Sequence, residues 1–409
     1  MIMSTHSGSF LKKTTHFLEH TAGWLAVFTA FFLPLSTSIT DILFIACPIL
    51  FFLTGRYVEK LQYIWQCRAV FLCVVLFSWM LFAITYTPVP LKEAFAGLFK
   101  YDKLLLGVFF MPIFREEKWR RYALHAFFLA MGVTVLAALL KAAGLVHQGE
   151  KFGPMLLFKD RIQTSFLLAM AAYFALVLFL DTATERRMRW GYVAGCVASV
   201  FLLFSIGGRS GYFIFCLLLM WLLWNRWRWR GIVSAVGIVG LLLAAAYLFS
   251  PAFNARLQES IHDMRVYQAG QNNTSLGLRT EFAKNSVQLI KAHPIFGSGT
   301  GSFAAQYASL GLPSYMETRN PHNQYMHVFV QWGVVGFTLL LWLFYAQWRD
   351  SRFLSPSSRL IAQGVLLAIM VGSLANSWLL DTTEGHFYVY FMALLFAGRV
   401  GCTGKLQQA

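Results

Sequence analysis

Three side chains have the type and placing to do chemistry: the imidazole of His322, within Arg319-Asn320-Pro321-His322-Asn323, and the guanidinium groups of Arg209 and Arg279. His322 follows a proline and precedes an apolar run, which puts it at the N-terminal end of a membrane-length helix. A neutral imidazole there, its pKa held down by the helix N-terminus and by nearby arginines, can take a proton from a hydroxyl. A capping or interfacial histidine is the other reading of that position. Arg209 sits in Gly207-Gly208-Arg209-Ser210-Gly211, between two apolar runs joined by almost no loop. A guanidinium at membrane depth is costly without an anionic partner, which makes it a functional-site hypothesis; snorkelling to water, or a structural pair with Asp381 or Glu384, would also account for it. Arg279, at the start of an amphipathic segment, reads alone as a solvated charge. Taken together, the two planar forks suit a pyrophosphate bidentately and offset charge that would otherwise need Mg²⁺.

Neighbouring motifs carry less. His327 lies five residues beyond His322, a helical rotation of ~140°, so the two cannot share a metal face. Gly297-Ser298-Gly299-Thr300-Gly301 resembles a phosphate cradle, but with no strand ahead of it the segment reads as a turn. The external acids are scattered and form no Asp-x-Asp pair, so no metal is expected. Cys47, Cys67, Cys73, Cys196, Cys216 and Cys402 fall in spans or near the cytoplasmic side, which implies no disulfide framework. No cofactor is expected either.

These groups are positioned by elements whose solvent is mostly lipid. The 409 residues are 57% hydrophobic and 13% charged, with a mean hydropathy of +0.57, which excludes a soluble globular protein. The net charge of +16 does not point to nucleic acid, because the cations fall in short loops rather than on one face. Apolar runs predict about twelve transmembrane helices, near 23–38, 41–53, 69–86, 98–114, 123–145, 164–180, 191–206, 212–224, 231–249, 323–345, 361–379 and 387–399. The second, fourth and eighth are short for a straight span, which predicts soft boundaries or broken helices. Alternate loops hold most of the Lys and Arg residues, from Lys12 and Lys13 to Arg399 and Lys405. The positive-inside rule makes those loops and both termini cytoplasmic. No small-residue cleavage site follows the first run, so it is expected to stay as a span.

The expected organisation is transmembrane helices one to nine over 1–249, a cover segment over 250–321, and helices ten to twelve over 322–409. Within the cover, Ala252 to Gln268 and Leu278 to Ala292 read as amphipathic helices split by Gly270-Gln271-Asn272-Asn273. The segment is too short for an independent domain and is expected to lie across the external mouth of an all-α polytopic bundle.

In three places the sequence resembles the bacterial O-antigen ligases, within a superfamily that also holds O-antigen polymerases and protein O-oligosaccharyltransferases. The first is His322-Asn323, nine residues, Gly333, two residues and Gly336. The second is Ser205-Ile206-Gly207-Gly208-Arg209-Ser210. The third is Leu278-Arg279-Thr280 followed by His293-Pro294-Ile295-Phe296-Gly297-Ser298-Gly299. The resemblance implies an inverting, metal-independent glycosyltransferase of GT-C-like architecture in the bacterial inner membrane, working at the periplasmic face. It would move O-antigen from undecaprenyl pyrophosphate to the lipid A core. By that analogy His322 is the general base, and Arg209 and Arg279 bind the pyrophosphate. Lys159 and Arg161, in Lys159-Asp160-Arg161-Ile162, and Asn323 become secondary donor or acceptor candidates. Asp381 would orient His322 or pair with Arg209. The partners implied are that donor, that acceptor and membrane lipids, without nucleic acid, for a chain working as a monomer.

A polymerase extending the lipid-linked glycan and an oligosaccharyltransferase acting on protein are the alternatives within the superfamily. The modest length and the single cover segment favour the ligase. A flippase or transporter would instead bury ionisable groups midway along several spans. Here Lys141 is the main such residue, and the others gather at one face.

Overall fold

The computed structural model describes residues 4–146, 155–268 and 274–399, with side chains from residue 13 onward. The Gly270-Gln271-Asn272-Asn273 break, residues 147–154 of the loop before Lys159, Cys402, Lys405 and the side chain of Lys12 lie outside the described residues. Among the described residues every regular element is helical. In chain order they are α1 (Ser4–Phe32), α2 (Thr37–Leu53), α3 (Tyr57–Gln66), α4 (Arg68–Phe82), α5 (Leu91–Phe99), α6 (Asp102–Leu106), α7 (Phe110–Ile113), α8 (Glu117–Ala142), α9 (Arg161–Leu180), α10 (Arg186–Ile206) and α11 (Arg209–Phe249). The chain continues with α12 (Pro251–Gln268), α13 (Ser275–Ala292), α14 (Phe303–Ala308), α15 (Gln324–Asp350), α16 (Pro356–Gly372) and α17 (Thr382–Phe396).

By length and apolarity, six of the described helical segments can cross a membrane: Arg68–Tyr86, Glu117–Ala142, Arg161–Leu180, Arg186–Ile206, Arg209–Phe249 and Gln324–Phe353. The difference from the dozen runs expected has physical causes. α11 joins the eighth and ninth runs and turns sharply at Arg228 (φ 53, ψ −130). Its far end returns to where it began, since Ser250 Oγ donates to the Phe204 carbonyl at 2.8 Å, beside the start of α11. The fourth run is broken into α6, a 3₁₀ turn and α7. The second and eleventh runs form α2 and α16, which are apolar but shorter helices.

α9 lies at the centre of the bundle, buried along most of its length against α10, α11 and α16. Its contact with α11 is close because position 208 lacks a Cβ; one there would meet Ser165 Cβ at 2.3 Å. Small residues let backbones approach, which in lipid supplies the packing that the hydrophobic effect supplies in water. Glu59 and Arg115 pair at 2.8 Å, and Tyr63 donates to the Ala397 carbonyl at 2.7 Å. These residues, with Arg349 on Asp350 at 2.9 Å, belong to the end of the bundle away from His322.

The segment between α11 and α15 folds over the other end. α12 packs on α10, α11 and α13, and α13 packs on α15. Phe282, Leu289, Phe303, Tyr307 and Val330 give this cover a small apolar core of its own, shared with α15. Asn285 donates to Tyr307 Oη at 2.9 Å within it.

Candidate active site

The cover is joined to the bundle where α15 breaks. Gly333 has φ 59 and ψ −161, backbone open to glycine and costly for other residues. The carbonyls and amides freed at that break are taken up by the 294–301 segment. Ser298 and Gly299 donate to the carbonyls of Val330 and Gln331 at 2.9 and 2.8 Å, and Val334 donates to the Pro294 carbonyl at 2.9 Å. Thr300 donates to the Ala83 carbonyl at 3.3 Å, and Gly301 to Gln331 Oε1 at 2.6 Å. Non-helical backbone at membrane depth is tolerated where protein satisfies it in this way. The amides of 298–301 are thus spent on the fold, and the glycine-rich stretch is a structural turn, as its sequence context predicts.

His322 stands just before α15, half-buried, with φ 52 in the left-handed region. That conformation is uncommon for a residue with a Cβ and needs support from outside the residue. Asn320 supplies it: its Oδ1 accepts from the His322 amide at 2.9 Å and from Ser377 Oγ at 2.6 Å. The ring of Phe282 on α13 stacks on the imidazole at 6.2 Å between centroids. Burial, and next the Arg279 guanidinium, push the His322 pKa below its ordinary value of 6.5, so the ring is neutral at pH 7. Asn323 is the N-cap of α15. Its Oδ1 accepts from the Met326 amide at 3.1 Å and its Nδ2 donates to the Leu374 carbonyl at 2.9 Å. It therefore holds the start of the helix rather than facing a ligand.

Arg209 opens α11, exposed, and its Nη1 donates to Ser260 Oγ on α12 at 2.9 Å. Arg279 lies in the second turn of α13, which starts at Ser275 behind a Thr274 cap, and is half-buried rather than solvated. Burial and the Arg209 charge lower its pKa. The electrostatic chain therefore runs Arg209, Arg279, His322: each acts on the next, although they come from α11, α13 and the loop before α15. Two neighbouring guanidinium groups beside a neutral imidazole make a cradle that an anion would relieve.

The remaining predicted residues divide. Arg161 opens α9 behind the Asp160 cap, half-buried, with its carbonyl beside Gly208 and so next to Arg209. Lys159 turns the other way, buried, its Nζ donating to Thr383 Oγ1 at 2.9 Å. Burial lowers its pKa to about 8, opposed by Glu384, Asp41 and Asp160. Burial pushes the Asp381 carboxyl up to about 6, with Lys103 opposing. Asp381 lines a polar cavity with Lys100, Lys103 and Asn320, so it reaches the His322 segment through Asn320, and Lys103 is the cation acting most on it. His327 is buried in the bundle, its Nδ1 2.9 Å from Tyr101 Oη and 3.1 Å from Gln331 Nε2. Asn320, Ser260 and Phe282 went unassigned at the level of sequence. Only Asn320, inside the His322 motif, left a signal there.

Residues 194–341 match the family model for O-antigen ligases. That stretch is about a third of the chain and contains Arg209, Arg279, His322 and Asn323, which supports the resemblance drawn from their motifs. The chain is also similar to an uncharacterised protein of Haemophilus influenzae, 25% identical over 115 residues, a match covering 27% of this chain and 28% of that protein.

Proposed function

We propose that this protein is an O-antigen ligase, a glycosyltransferase that moves a glycan from undecaprenyl pyrophosphate to a sugar hydroxyl of the lipid A core. The observation that carries the reading is the Arg209, Arg279 and His322 series at one mouth of the bundle. In this mechanism the diphosphate lies across the two guanidinium forks. The neutral His322 ring accepts the proton of the acceptor hydroxyl as its oxygen attacks the anomeric carbon. The bond from that carbon to the phosphate oxygen breaks, the anomeric configuration inverts, and the arginines hold the charge that develops on the leaving diphosphate. A good leaving group needs positioning and charge compensation more than covalent help. Asn320 and Phe282 set the orientation of the base.

The topology proposed with it is twelve crossings, counting α11 twice and the α6–α7 segment once, with the cover over 250–321 on the periplasmic side of the inner membrane and both termini in the cytoplasm. The cation-rich end formed by Arg115, Arg349 and their neighbours is then inside, in keeping with the positive-inside rule.

The test is an assay with purified protein, lipid-linked glycan and core acceptor, run in chelator. Parent protein should transfer. His322→Ala, Arg209→Ala and Arg279→Ala should each lose about 10²-fold or more. Parental rates in all three would overturn the site, and loss of turnover in chelator would overturn the metal-independent mechanism. Product still attached to pyrophosphate lipid would identify a polymerase instead.

A further inference from the structure

A second polar cavity of about 590 Å³ opens beside the site, within the size range of small-molecule pockets. Asp41 of α2, Lys100, Asp102 and Lys103 around the start of α6, and Asp381 and His386 at the start of α17 line it. Arg319, Asn320 and Gln163 of α9 add polar wall and Phe44, Phe99 and Leu106 apolar wall, and Asn320 is the residue that holds the His322 amide. Cations and carboxylates alternate here, so the cavity does not select a strong anion. It offers donors and acceptors side by side.

Three of its groups are incomplete. His386 is 4% exposed, and its Nδ1 lies 2.7 Å from the Thr382 carbonyl. A carbonyl only accepts, so Nδ1 carries the proton, and in the neutral ring Nε2 is an acceptor. Nε2 faces Asp41 Oδ1 at 3.6 Å, and that oxygen is buried with no hydrogen-bond partner. Two acceptors meet with no donor between them. Lys103, 3% exposed, gives two of its three N–H groups to the carbonyls of Leu380 and Asp381, at 3.1 and 3.2 Å, and keeps one donor. A buried acceptor pair and a buried spare donor on one cavity wall match a ligand carrying several hydroxyl groups, each of which both donates and accepts.

We propose that this cavity is the subsite for a sugar of the acceptor, holding its hydroxyl groups on Asp41, His386 and Lys103 so that a neighbouring hydroxyl reaches His322. The proposal rests on the transferase reading above. It concerns the acceptor rather than the donor because the cavity is built mainly from α2, α5–α6 and α17, none of which carries Arg209 or Arg279; Gln163 of α9 and Asn320 join it to the site.

The test varies acceptor at saturating donor, then donor at saturating acceptor, for parent, Asp41→Asn and His386→Gln. Asp41→Asn keeps the shape of a half-exposed side chain, so at least one variant should fold, and elution as a single species in detergent checks it. The acceptor KM should rise about tenfold or more in each folded variant while the donor KM stays within about twofold of parent. An acceptor KM unchanged in Asp41→Asn would overturn the subsite. Equal rises in both KM values would also overturn it, as a site not specific to acceptor. A parent that transfers no glycan would instead sink the transferase reading itself, an outcome separable from either of these.

Discussion

At the scale of the residue, the proposed mechanism needs His322 to be neutral before substrate arrives. Protonated imidazole cannot accept a proton, so kcat/KM should fall as pH drops through a value below 6.5, the direction set by burial and by Arg279. Arg279→Gln removes one of those two causes and should move that limb upward, read from the pH profile of whatever activity remains. Arg209→Lys keeps the charge but loses the planar fork, and transfer should fall about tenfold or more, measured as kcat/KM for the lipid-linked donor. His322 and Arg209 were legible in the sequence because an ionisable side chain beside long apolar runs is conspicuous, and Arg279 through the motif that follows it. Their partners were not. Ser260 lies 51 positions from Arg209, and Phe282 reaches His322 only once α13 lies on α15. Asp381 looked like a partner for the histidine or the arginine, and only tertiary structure shows Lys103 between α6 and α17 as its neighbour.

At the scale of the element, the joints matter more than the helices. Gly208→Ala places a methyl group 2.3 Å from Ser165 Cβ and should prise α9 from α11, lowering the yield of monodisperse protein and its melting temperature in detergent. Ser165→Gly removes the opposing atom, so the double variant should regain much of the loss, which a general folding defect would not do. Gly333→Ala combines a positive-φ, extended-ψ backbone open essentially to glycine, costing about 1–3 kcal/mol, with a methyl group 2.2 Å from the Ile295 carbonyl oxygen. It should be the more damaging of the two and show no such rescue. The apolar runs were legible because lipid demands about 20 such residues per crossing. The break at Arg228 was legible too, as the cation-bearing gap between the eighth and ninth runs, but the one at Gly333 was not, because it depends on the bonds that residues 294–301 make to the far side of the break.

For the whole molecule, the prediction is one of sidedness. Lys291→Cys, exposed at the end of α13, should react with a membrane-impermeant thiol reagent in intact spheroplasts, and Glu117→Cys at the start of α8 only after permeabilisation. The reverse pattern would turn the site toward the cytosol. The native cysteines lie buried or half-buried among the described residues and give a low background. The seam at Gly333 bears on how such a molecule breathes. Because the amides of 298–301 are locked to α4's extension and to α15, they should exchange with deuterated solvent as slowly as amides deep in the bundle, even though they belong to a surface-spanning segment. The roof is then riveted along one edge, and the opposite one, where α12 meets α10 and α11, should exchange faster and part first.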